Sequence, residues 1–226
     1  MPRRTDFAAL AAVSLIVLPA VGTTTLTGCA KTKIWVNEKL GYEKREQLVG
    51  SVEKARDQQE KAKVAFASAL EEFLAITEGD ETTADLEKKY KKIESAYENS
   101  VSRAEAVHGR ISTVESVAKA LFKEWEKELG EYSSDSLRDA SQAQLDATRE
   151  RYTTLIGAMK DAASKMDPVL AAFKDQTLFL KHNLNARAIA SLETDLAKVK
   201  TEVAELIEEM EASIAEANAF IDALQE

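Results

Sequence analysis

The chain has 226 residues, 45% hydrophobic and 31% charged, which suits one domain or two small ones with a buried core and a well-solvated surface. A formal charge of −9 argues against a nucleic-acid partner, because phosphate contacts need clustered Lys and Arg. A single cysteine rules out an intramolecular disulfide, and an aromatic content of 6% is lean for a β protein.

The first element is a leader. Arg3 and Arg4 give a short basic start, with Asp6 as a departure from the pattern, and Phe7 to Leu18 is apolar apart from Ser14. Basic residues, an apolar run and then small residues form the layout of a signal peptide, and the apolar run is too short for a comfortable membrane span. Leu26-Thr27-Gly28-Cys29 follows and resembles the bacterial lipobox, in which the cysteine thiol receives diacylglycerol and the chain is cut just before it. We therefore expect residues 1–28 to be a cleaved signal peptide, 29–33 to be a lipidated Cys29 with a short tether, and 34–226 to be one domain. An ordinary signal peptide, or an N-terminal anchor, with a bystander cysteine is the competing reading. Ala30 rather than aspartate follows the cysteine. In Gram-negative lipoproteins this implies forwarding to the outer membrane, with the domain in the periplasm.

Downstream of Cys29 there is one proline, Pro168, and the only glycines are Gly41, Gly50, Gly79, Gly109, Gly130 and Gly157, so hairpins have few sites. Apolar residues recur at alternating four and three spacings in four segments. The first is Leu48, Val52, Ala55, Gln59, Ala62, Phe66, Ala69, Phe73, Ile76. The second is Leu86, Tyr90, Ile93, Tyr97, Ser100, Ala104, Val107, Ile111, Val114, Ala118, Leu121, Trp125. The third is Leu145, Thr148, Tyr152, Leu155, Met159, Ala162, Met166, Val169, Phe173, Gln176, Leu180. The fourth is Ile189, Leu192, Leu196, Val199, Val203, Leu206, Met210, Ser213, Ala217, Phe220, Leu224. Such sustained heptads predict coiled-coil-like helix packing.

Polar turns separate the segments. Glu78 to Thr83 is the first; Gly130 ends the second helix and Ser133-Ser134-Asp135 caps the third; Asn183 and Asn185 mark the last break. The heptad phase runs through Pro168, which reads as a kink inside the third helix; Asp167 as the cap of a new helix is the alternative. Ile207, Ile214 and Ile221 widen the fourth stripe beyond what one partner helix covers. The predicted fold is all-α: an elongated antiparallel bundle of four long helices of similar length.

The residues Gly41-Tyr42-Glu43-Lys44-Arg45, Glu53-Lys54-Ala55-Arg56-Asp57, Met166-Asp167-Pro168-Val169-Leu170 and the run from Phe179 to Leu192 give the chain a further likeness. It resembles the uncharacterised bacterial lipoprotein family called domain of unknown function 2959, over essentially the whole mature chain. The resemblance implies no activity and transfers no catalytic residue.

Chemistry-bearing motifs are sparse. Glu105 and His108 form one Glu-x-x-His pair, the half-motif of di-iron bundles, but no second pair exists. Phosphate loops and nucleophile elbows are missing. No cofactor, metal or catalytic residue is expected, and Lys88-Lys89 with Lys91-Lys92 reads as a solvated face. Gln59 and Gln176 on the seams read as register-setting polar residues. Gly109 and Gly157 inside helices read first as close helix crossings and second as hinges. Leu178 falls opposite the seam beside Phe179; it either packs on a neighbouring turn or is an exposed contact.

Two classes of function remain. One is a membrane-anchored, non-enzymatic envelope protein that scaffolds or regulates another envelope protein or itself. The alternative is a metal- or cofactor-bearing bundle enzyme. In an up-down-up-down bundle the turns at 78–83 and 181–187 share the end away from the anchor, and the turn at 130–135 lies at the anchored end. The expected partner contact is therefore the far tip: Leu178, Phe179, Lys181, His182 and Arg187.

Overall fold

The computed structural model describes residues 44–77 and 83–225. Four helices are formed: α1 (Lys44–Ala75), α2 (Thr83–Leu129), α3 (Asp135–His182) and α4 (Ala186–Gln225). No strand occurs among the described residues. All four helices lie in the compact unit Tyr42–Glu226. The leader, Cys29 and the turn at 78–82 fall outside the described residues.

The seam positions become the core. All eight seam residues of α1, from Leu48 to Phe73, are buried, as are Ile76 just past its end and all those of α4 from Ile189 to Leu224. In α2 and α3 the exceptions are Tyr90, Tyr97, Trp125 and Tyr152, which pack against the core with part of each ring in solvent. Their amphipathic rings explain the exception: the polar end stays wet while the ring covers apolar surface. Ile221 is buried and Ile207 is packed against the core, so the widened stripe of α4 is used by two neighbours.

The helices form a ring. Each packs against its chain neighbours, and α4 closes on α1. Across the diagonal, α1 and α3 meet through aromatic rings. Phe173 stacks on Phe73 with centroids 4.9 Å apart and on Phe66 at 6.2 Å. Full burial of each such side chain contributes about 1.5–3 kcal/mol, well above the 0–1 kcal/mol typical of an exposed ion pair. Surface pairs such as Arg149–Glu126 at 2.6 Å and Lys165–Glu209 at 2.9 Å therefore decorate a register that the seam sets.

The end groups follow from local chemistry. Ser134 sits in extended backbone at the start of α3, and its hydroxyl accepts from the Leu137 N–H at 3.5 Å. Asn183 ends α3, with its side-chain amide donating to the Phe179 carbonyl at 2.9 Å. Lys89 of α2 donates to the carbonyl of Ala75, the last residue of α1. This lysine thus leaves the solvated face expected of its run and answers a carbonyl that has no helical partner.

Two expectations about helix interiors are now settled. Pro168 lies inside α3, which continues through it. The glycines are a correction: a Cβ added at Gly109 or Gly157 would meet nothing within 4 Å, so neither marks a close helix crossing. The heptad phase located these glycines within their helices but carried no information on how near a neighbour's backbone comes.

The helices are less equal than the spacing suggested. α2 and α3 have 47 and 48 residues, against 40 in α4 and 32 in the described α1. The Lys44 ammonium pairs with Glu124, and Leu224 and Gln225 line one groove with Arg45 and Val49. Relative to Lys44 and Gln225, the α2–α3 turn therefore projects further along the bundle.

Candidate functional site

Several polar groups lie inside the core. Gln59 and Ser213, both fully buried, satisfy each other: the amide donates to the hydroxyl at 2.9 Å, and the hydroxyl lies 3.1 Å from the amide oxygen. This pair joins α1 to α4 and suits the register-setting reading. Gln176 is buried with its Oε1 unbonded to any protein group. The Ser100 hydroxyl is spent on backbone carbonyls, Ala96 at 2.9 Å and Ala65 at 3.3 Å. None of these groups combines a nucleophile with a base.

The Glu-x-x-His pair does not assemble. His108 lies across from Asp167 of α3, with Nε2 3.8 Å from the carboxylate and both side chains largely in solvent. Among the described residues, no group of three or more His, Cys, Asp or Glu is placed to hold a metal ion. Burial is the main cause that raises the Tyr90 phenol to about 12, with the hydrogen bond to Glu94 at 2.8 Å adding to it. Burial also pushes the Tyr152 phenol up, helped by Glu115. Both tyrosines flank packed seams, and neither faces a cluster of reactive groups.

Surface grooves are shallow. One of about 330 Å³ between α1 and α2 is lined by Glu60, Lys61, Val64, Ser68, Asn99 and Arg103. Another of about 480 Å³ lies where Arg45, Glu46 and Val49 approach Leu224 and Gln225. No described helix is long and apolar enough to cross a membrane.

What remains are exposed apolar residues. Leu178 is 50% exposed and Phe179 37%, so Leu178 is not packed away on a neighbouring turn. Lys181 and His182 are exposed in the last turn of α3, where cations complement the helix dipole, and Asn183 caps the helix beside them. Arg187 lies in the first turn of α4, but its side chain falls outside the described residues, as do Glu78, Asp80 and Glu81. The expected meeting of an acidic and a basic turn is therefore not described; the apolar pair with Lys181 and His182 beside it is.

Three exposed apolar residues were not singled out from the sequence: Val64 at 61%, Tyr132 at 41% and Leu137 at 60%. The last two flank the cap of α3, Tyr132 in the α2–α3 turn and Leu137 in the first turn of α3. Val64 and Leu137 stand out of phase with the seams of α1 and α3, whereas Tyr132 continues the phase of the α2 seam but lies past the end of that helix.

Comparison with curated proteins finds no match. The family model described as "Protein of unknown function (DUF2959)" matches residues 35–224, nearly all of the bundle and its approach. The chain, an all-helical bundle with an apolar seam along each helix, belongs to that family.

Proposed function

We propose that this protein is a membrane-anchored lipoprotein of the cell envelope, carrying lipid on Cys29, and that its bundle acts without catalysis as a scaffold or regulatory interaction module. The observation that carries the reading is the sequence Leu26-Thr27-Gly28-Cys29 placed after an apolar leader and before a bundle filled by its own side chains. Two or three acyl chains contribute about 0.8 kcal/mol per buried CH₂, enough to hold the chain at a membrane without a spanning helix. Ala30 favours the outer membrane, with the bundle in the periplasm of a Gram-negative cell.

Within this reading the partner contact lies at the far tip. Leu178 and Phe179 offer exposed apolar surface, with exposed Lys181 and His182 next along α3 as a polar rim and Arg187 following in sequence. The partner is another envelope protein or a second copy of the chain. A photo-crosslinker at Leu178 or His182 is expected to trap that partner, and one at Ser133 is not. The anchoring half is tested by Cys29→Ser, which is expected to abolish both the acyl mass increment and membrane fractionation. A Cys29→Ser protein that keeps its mass increment and still fractionates with membranes overturns the lipoprotein reading.

A further inference from the structure

The α2–α3 turn presents an apolar pair that the bundle does not use. Tyr132 and Leu137 stand on either side of the cap residue Ser134, exposed by 41% and 60%. Hydroxyls serve the turn itself: Ser134 accepts from the Leu137 N–H, and its oxygen lies 3.1 Å from that of Ser136. Five nearby charges are paired locally. Lys127 faces Glu131 at 3.8 Å, and Arg138 faces Asp135 at 2.9 Å and Asp139 at 3.7 Å. Between 127 and 139 two cations, Lys127 and Arg138, stand against four carboxylates, Glu128, Glu131, Asp135 and Asp139, so the tip combines apolar side chains with no surplus of cations. Trp125, the next aromatic residue along α2, is half-buried, its indole N–H donating to Ser141 at 2.9 Å.

The topology places this tip beside the start of α1. Lys44 pairs with Glu124, and α2 ends five residues further on at Leu129, about 7–8 Å at helical rise. Lys44 follows Cys29 by fifteen residues, a contour of at most about 50 Å. The end of α3 that carries Leu178 lies roughly 60 Å further along that helix. Tyr132 and Leu137 are thus the exposed apolar pair closest to Lys44, from which the chain leads back to Cys29.

We propose that the α2–α3 turn rests in the headgroup layer of that bilayer, with Leu137 and Tyr132 inserted, so that the bundle is held by its own tip as well as by lipid. The proposal depends on the lipoprotein reading. Tyrosine suits the interface because its ring is apolar and its hydroxyl is wet. With no surplus of cations, the surface it fits is zwitterionic, and contact is insensitive to salt. Two side chains bind weakly by themselves; the lipid makes their encounter intramolecular, at a high effective concentration.

The test uses the acylated chain in phosphatidylcholine vesicles, with Leu137→Cys or Leu178→Cys carrying an environment-sensitive fluorophore; the thiol of Cys29 is occupied by lipid. Nitroxide-labelled lipids report depth. The label at 137 is expected to be quenched about twofold more than the label at 178, at low and at high salt alike. Equal quenching in a chain shown by mass to be acylated overturns the tip contact and leaves the lipoprotein reading standing. A chain that carries no acyl mass overturns both.

Discussion

Single residues in this bundle separate packing roles that one heptad pattern treats alike. Gln59 and Gln176 occupy equivalent seam positions, yet Gln59 is answered by Ser213 and the Gln176 oxygen by no protein group. Nothing in the spacing distinguishes them, because the difference depends on what the facing helix brings to the same level. The glycines make the same point. Gly109 and Gly157 have open space where a Cβ would go. Gly109→Ala and Gly157→Ala should each stabilise by about 0.5–1 kcal/mol, since alanine lowers unfolded-chain entropy without a clash; chemical denaturation measures this. Tyr90 supplies a pH signature. Its phenol ionises near 10.0 in the unfolded chain and is raised to about 12 by burial and Glu94. The folded state therefore holds the proton more tightly. Its stabilising contribution is complete below pH 10 and is lost as pH rises towards 12. Melting temperature recorded across that range should fall less steeply in Tyr90→Phe than in the parent.

At the scale of the element, α3 shows why phase is a better guide than single breakers. Its apolar seam passes from Leu155 to Leu180 across Pro168, and the helix follows the seam rather than ending at the proline. Proline removes one helical hydrogen bond and crowds the preceding turn. Here its ring is exposed, so its removal disturbs no packing. Pro168→Ala should accordingly stabilise by about 1–3 kcal/mol, read from denaturant midpoints. Unchanged midpoints would mean that the neighbouring turns already absorb the distortion. Helix lengths were less legible. The turn signals gave the breaks correctly at Gly130, Ser134 and Asn183, but not how far the α2–α3 turn extends past Lys44. Relative axial position shows in pairs such as Lys44–Glu124 and Gln59–Ser213, which join helices distant in sequence. Whether Tyr132 and Leu137 are covered depends likewise on where the other helices stop, which no spacing within one helix records.

For the whole molecule, four seams converge on one continuous core, and this was the part most fully written in the sequence. Leu206 lies at its centre with no exposed surface. Leu206→Asp should cost more than about 3 kcal/mol, because an unpaired carboxylate would replace a packed side chain; loss of cooperative melting followed by circular dichroism is the expected result. What the protein acts upon was not legible, since a solvated helix face carries similar residues whether or not it meets a partner. The ring closure between α1 and α4 has a topological consequence. Arg45 and Val49 share a groove with Leu224 and Gln225, so the first and last helices of the bundle approach each other at one end. A short linker from 225 to 44 could close the chain there, and the Asn183–Asn185 break could supply new termini at the opposite end. With a lipid-bearing cysteine fused to the new start, such a permutant would hang the same core upside down. Leu178 would then face the membrane and Leu137 would point outward, turning the molecule's polarity into a variable that can be set by reconnection alone.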